Sequence, residues 1–118
     1  MAVQRIVDIT NELNDNSIHN MDVGGWDNVV VQLVSPTGTF TFNTTNDSGA
    51  ITGSSDGSSL SATNWIACQG VNLNSGSAVT TLAASGLVKF TVIGQYLQLT
   101  APGGAQVTKA IIRLYKIN

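Results

Sequence analysis

The chain has 118 residues and 42% hydrophobic content, the length of one domain. By area scaling about 6,100 Å² stays exposed of roughly 17,800 Å² in the extended chain, which excludes a disordered tail over most of the length. Apolar runs such as Val29-Val30-Val31 or Ala110-Ile111-Ile112 are far short of the roughly 18 residues of a membrane helix, and a net charge of −2 gives no electrostatic case for nucleic acid or anionic lipid.

The first segment reads two ways. Ala2, Ile6, Ile9 and Leu13 lie on one helical stripe, whereas Val3, Val7 and Ile9 fit a strand. Residues 1–25 are expected to form an N-terminal arm and polar connector, and residues 26–118 a β-domain. Trp26 to Val34 alternates with Val29, Val31 and Leu33 on one face and Trp26, Val30 and Val34 on the other. Apolar residues on both faces predict a central strand. Ser35-Pro36-Thr37-Gly38 has the order of a type I turn, and Thr39 to Asn43 then alternates with Phe40 and Phe42 inward, predicting a hairpin.

Thr44 to Ser61 is polar, with turn clusters at Asn46-Asp47-Ser48-Gly49 and Ser55-Asp56-Gly57 and a short strand expected around Ala50-Ile51-Thr52. Asn64 to Leu73 and Ala78 to Ala83 are further strands, separated by Leu73-Asn74-Ser75-Gly76. Leu87 to Ile93 places Val88, Phe90 and Val92 on one face, and Gly94-Gln95 interrupts it as a turn or a bulge. Tyr96 to Thr100 turns Leu97 and Leu99 inward. Ala101-Pro102-Gly103-Gly104 has the centres of a type II turn before a last strand from about Gln106 to Ile117. About eight short strands with Gly, Asn and Ser turns predict an all-β, antiparallel, jelly-roll-like sandwich.

Charge is scarce at 10% of residues, against about 25% in ordinary soluble domains. It is also segregated. Asp8, Glu12, Asp15, Asp22 and Asp27 open the chain, and Lys109, Arg113 and Lys116 close it. These groups are placed to pair within one subunit or between neighbours, or else form two separate solvated patches.

Catalytic groups are few. The single histidine, His19, lies in the polar connector, and no Gly-x-Ser-x-Gly elbow singles out a serine. Cys68 has no disulfide partner, shares strand parity with Ile66 and reads as a buried thiol. One His and one Cys do not build a zinc site, and Asp47 and Asp56 lack the spacing of a calcium loop. No catalytic, cofactor or metal residue is therefore assigned, no cofactor is expected, and the chain reads as a non-enzyme. Trp26, Trp65, Tyr96 and Tyr115 are weighed as sugar platforms, but a sandwich this size needs most of its large aromatics in the core.

Gly38-Thr39-Phe40-Thr41-Phe42, Ser54-Ser55-Asp56-Gly57, Asn64-Trp65-Ile66-Ala67 and Gly70 to Gly76 together resemble a pattern in small tailed-bacteriophage virion proteins. The pattern continues through Val79 to Leu82, Gly86, Phe90, Gly94 and Tyr96-Leu97-Gln98-Leu99. The resemblance covers about Trp26 to Thr100, with a longer loop between Asp56 and Trp65. It implies a virion structural protein of the capsid decoration, cement or head-fibre type. Such a protein would be a homo-oligomer, with a trimer favoured, bound to the major capsid protein or another virion protein. The N-terminus shows no signal peptide, so synthesis in the host bacterial cytoplasm is expected. The alternative is a carbohydrate-binding or adhesin module with a glycan as partner.

Overall fold

A computed structural model describes residues 2–47, 63–91 and 93–117. The elements are β1 (Ala2–Asp8), α1 (Thr10–Asn16), β2 (Ile18–Asp22), β3 (Asn28–Val34), β4 (Phe40–Thr45), β5 (Ile66–Ala67), β6 (Gly70–Asn72), β7 (Ala78–Val79), β8 (Thr81–Leu82), β9 (Gly86–Phe90), β10 (Tyr96–Thr100) and β11 (Lys109–Ile117). They form a six-stranded sheet ordered β1-β11-β3-β9-β6-β7 and a five-stranded sheet ordered β2-β10-β4-β5, with β8 also on β4. All the pairings are antiparallel. The two sheets pack face to face as a β-sandwich. Among the described residues no helix is long and apolar enough to cross a membrane.

The inward faces follow the alternation in the sequence. Val29, Val31 and Leu33 of β3, Phe40 and Phe42 of β4, Val88 and Phe90 of β9, and Leu97 and Leu99 of β10 are all buried. The rings of Phe42 and Phe90 meet edge to face, with centroids 5.2 Å apart. Because β4 and β9 belong to different sheets, this contact joins the two layers, a geometry that aromatic pairs favour. Gly70 makes room beside it: a Cβ there would lie 2.6 Å from Val88 Cγ1 and 2.7 Å from Phe90 Cε1.

Several expectations change. The segment before residue 26 is no separate arm, because β1 forms the edge of the six-stranded sheet and β2 an edge of the other. Both periodicities of its sequence are used, one after the other: a strand to Asp8, then one helical segment that buries Ile9 and Leu13. Docking explains why so short a helix persists. Asn14 donates from Nδ2 to the Val107 carbonyl at 3.1 Å and accepts the Val107 N–H at 2.8 Å, while Thr10 Oγ1 accepts the Ala110 N–H at 2.9 Å. The chain then leaves the helix through Ser17, in the left-handed region at φ 58°.

The hairpin expected across Ser35-Pro36-Thr37-Gly38 does not form. Both sides of β3 are taken, by β11 and β9, so the turn carries the chain over to β4 in the opposite sheet. Each of the two strand regions at 64–73 and 78–83 is split for a similar reason. β5 and β8 extend β4, whereas β6 and β7 belong to the six-stranded sheet. Eight expected strands therefore become eleven among the described residues. Gly94-Gln95 is likewise a crossover, from β9 to β10. The proline turn sits one residue later than expected, closed by the Ala105 N–H on the Pro102 carbonyl at 3.1 Å with Gly104 at φ 87°. The strand expected near Ala50-Ile51-Thr52, the Asp56 turn and Val92 lie outside the described residues.

Two core substitutions test this packing. Phe90→Ala is expected to lower the unfolding free energy by about 3–5 kcal/mol. Gly70→Ala is expected to cost about 1–3 kcal/mol through overpacking. Urea titrations followed by tryptophan fluorescence measure both, and a Gly70→Ala protein as stable as the parent would refute the close approach.

Candidate functional site

The outer faces of the two sheets differ in chemistry. On the five-stranded sheet, Asn20, Gln98 and Asn43 stand side by side across β2, β10 and β4, and Asn43 Nδ2 donates to Gln98 Oε1 at 2.9 Å. Asn20 and Gln98 are buried. This face is a row of amides.

The outer face of the six-stranded sheet is apolar and basic. Register places Ile6 of β1 beside Arg113 of β11, Val30 of β3 and Lys89 of β9 in one cross-strand row. Ile111, Gln32 and Leu87 form the row next to it. Ile6 is 60% exposed, Leu73 48% and Val71 43%. A groove of about 530 Å³ runs between these side chains and reaches Tyr115. Arg113 lies over the Tyr115 ring, its Cζ 4.3 Å from the centroid, and its Nε donates to Gln4 Oε1 at 2.9 Å. The guanidinium is thereby held at the groove by two neighbours.

Asp8 is the one carboxylate that the described strands contribute to this face, and it pairs with Lys109 at 3.0 Å. The pairing anticipated between the acidic start and the basic end is thus made within the subunit at this position. Asp8 Oδ1 also accepts hydrogen bonds from the Thr10 hydroxyl and the Thr10 N–H. The Thr10 hydroxyl contributes most to holding the Asp8 carboxyl at about 2, followed by the Thr10 N–H and Lys109. With Asp8 and Lys109 offsetting each other, Lys89 and Arg113 leave the described face positive on a chain whose net charge is −2.

A second, polar cleft lies at one end of the sandwich. Asp22 Oδ1 accepts from Gln95 Nε2 at 2.6 Å and from the Gly24 N–H at 2.9 Å, and Asn46 Oδ1 accepts the Gln95 N–H at 2.8 Å. The Gln95 amide packs directly over Gly24, where a Cβ would fall 2.0 Å from Nε2 and displace that side chain. Trp26 lines this cleft of about 240 Å³, but it is half-buried against the core and Lys116 Nζ sits 5.8 Å from its ring centroid. Trp65 is half-buried just before β5 and does not line that cleft.

The remaining singled-out residues are dispersed. His19 is buried on β2 opposite Leu99. Cys68 is buried beyond β5, its N–H donating to the Phe42 carbonyl at 2.8 Å. β10 and β4 intervene between their strands, a separation of about 14 Å at ordinary strand spacing, so the two do not form a nucleophile–base pair. Burial pushes the Cys68 thiol up to about 11, and the parity argument fails because Ile66 is exposed. Cys68 is buried through the crossover that follows β5. Asp47 accepts from Asn64 Nδ2. Among the described residues no group of three or more His, Cys, Asp or Glu side chains is placed to hold a metal ion.

No protein-family model matches the chain, and no curated protein does. Among solved structures it is similar to the SPBc2 prophage-derived protein YomS, with a TM-score of 0.67 over 98% of this chain and 96% of that one. At 12% identity the likeness shows a shared fold across nearly the whole of both chains.

Sequence reasoning missed the apolar outer face. Its signal was present in Val30, an apolar residue on the second face of β3, which was read as burial on both sides.

Two measurements test the site. Asp8 is depressed from an ordinary value of 3.8 to about 2, so its stabilising contribution is complete above about pH 4 and is lost as pH falls through about 2. Asp8→Asn should therefore flatten the fall of Tm over that window, and an unchanged profile would contradict the assignment. Cys68 should react with a thiol reagent in the native protein far more slowly than in the unfolded one; equal rates would contradict its burial.

Proposed function

We propose that this chain is a non-enzymatic structural protein of a tailed-phage particle, decorating or cementing the capsid as a homo-oligomer. The observation that carries the reading is the apolar, basic outer face of the six-stranded sheet, set against the amide-lined face opposite. Contiguous exposed apolar surface with a polar rim marks an interaction site. Its surplus of positive charge fits an acidic surface on a virion protein, because complementary charge sets orientation and association rate. The prophage origin of the structural neighbour supports a phage source, and the sequence resemblance supports a place in the virion. The scarcity of charge elsewhere gives a surface little affected by salt. The carbohydrate-binding alternative has less support, because Trp26 is half-buried beneath Lys116.

Co-sedimentation with particles of the phage that encodes the chain tests the reading. Lys89→Glu combined with Arg113→Glu should reduce particle binding by about 10-fold or more, the scale of losing a complementary charge pair at an interface. Binding unaffected by the double substitution would remove this face from the proposal. Failure of the parent protein to sediment with particles, together with glycan-dependent quenching of its tryptophan fluorescence, would favour the carbohydrate reading instead.

A further inference from the structure

The four sheet edges are unequal. β5 and β7 are each two residues long, and β2, with five, has α1 packed beside it. β1 is seven residues long, and among the described residues no strand lies beyond it. Val3, Gln4, Arg5, Ile6 and Asp8 are all exposed. The strand carries charge at Arg5 and Asp8, but it holds no proline, is paired residue for residue without a bulge along β11, and has apolar side chains exposed on both faces, Val3 at 45% and Ile6 at 60%. Such an edge presents a row of backbone donors and acceptors to any strand that can align with it.

We propose that β1 pairs antiparallel with β1 of a second copy of this chain about a twofold axis, joining two six-stranded sheets into one continuous sheet. The inference rests on the oligomeric part of the reading above and is independent of what the assembly binds. The axis stands perpendicular to the sheet, so both outer faces lie on the same side, and residues opposite each other must share strand parity. That leaves three central registers. Centring on Arg5 sets Arg5 against its own copy, and like charges directly opposite destabilise a strand pair. Centring on Gln4 leaves Val7 and Asp8 without partners in the second β1.

Centring on Ile6 leaves Ala2 and Val3 without partners in the second β1 but pairs every residue from Gln4 to Asp8 and, unlike the Gln4 register, sets Gln4 against Asp8. Ile6 meets its own copy on the axis, Arg5 lies opposite Val7, and Gln4 lies opposite Asp8. Gln4 Oε1 already accepts from Arg113, which leaves the Gln4 amide N–H groups to donate to the facing carboxylate. Asp8 Oδ1 already accepts both Thr10 donors, so the Gln4 amide meets Oδ2, which is held by Lys109 and retains one accepting site. The Ile6 pair also joins the two apolar grooves end to end, because Ile6 lines the β1 end of each. One twofold contact therefore covers the most exposed apolar side chain of the edge and doubles the length of the outer face.

Register-specific cross-linking tests this. Ile6→Cys and Gln4→Cys proteins, each folded as judged by circular dichroism, are oxidised at equal concentration. Ile6→Cys should give at least about 10-fold more disulfide-linked dimer, since residue 6 meets itself on the axis and residue 4 does not. The buried Cys68 serves as the background in the parent protein. Ile6→Lys should shift the parent dimer to monomer in sedimentation equilibrium. A parent that is monomeric at all concentrations, or equal linking of the two cysteine proteins, would overturn the proposal. Particle binding that survives in the Ile6→Lys monomer would separate this contact from the attachment face.

Discussion

The edge-to-face contact of Phe42 with Phe90 is the point from which the two sheets take their relative position. The chain brings a bare backbone, Gly70, against the Phe90 ring and Val88 beside it. A side chain there would push β6 off the six-stranded sheet or separate the layers. Interiors packed to crystal-like density leave no slack for either. β3 and β11, neighbouring interior strands of that sheet, are then clamped from inside by Val29, Val31, Ile112 and Leu114. Their outer residues are left to face solvent.

This division of one strand into a packed side and an open side produces the candidate site. A small sandwich has only two outer faces, and here they carry opposite chemistry. On the amide row of the five-stranded sheet Asn43 is hydrogen-bonded to Gln98, and Asn20 and Gln98 are buried. The outer face of the other sheet gathers Ile6, Val30, Leu87 and Ile111 around Lys89 and Arg113. Water ordered over such a surface is released when it is covered. Charge then decides what covers it well. On the function proposed above, shape and charge together favour association through this face.

The β1–α1–β2 segment links the two sheets. A chain that must pass from the edge of one sheet to the edge of the other needs a short, compact connector, and one buried helical turn through Ile9 and Leu13 supplies it. Asn14, Thr10 and Asp8 fasten that connector to the strand start at Lys109 and the residues before it. The edge that results is long, straight and pinned at one end. β11 holds it on one side, and among the described residues no strand pairs with its other side.

Much of this was legible in the sequence because strand alternation is a local property. Val29, Val31 and Leu33, Phe40 and Phe42, and Leu97 and Leu99 declare their buried face through period-two spacing alone, and the Gly, Asn and Pro turns mark where strands stop. The all-β sandwich follows from those local signals. Which strands pair is not local. Ser35 to Gly38 reads as a hairpin turn, yet β3 has both edges occupied by strands distant in sequence, and only the assembled sheet directs the chain across to β4. The same competition for edges split the strands around Cys68 and Thr80 and drew the first segment into both sheets. The outer apolar face stayed hidden for a related reason: Val30 and Ile111 look the same in sequence whether a second layer covers them or water does. Side-chain period sets which way a residue points, and only tertiary structure decides what stands there to meet it.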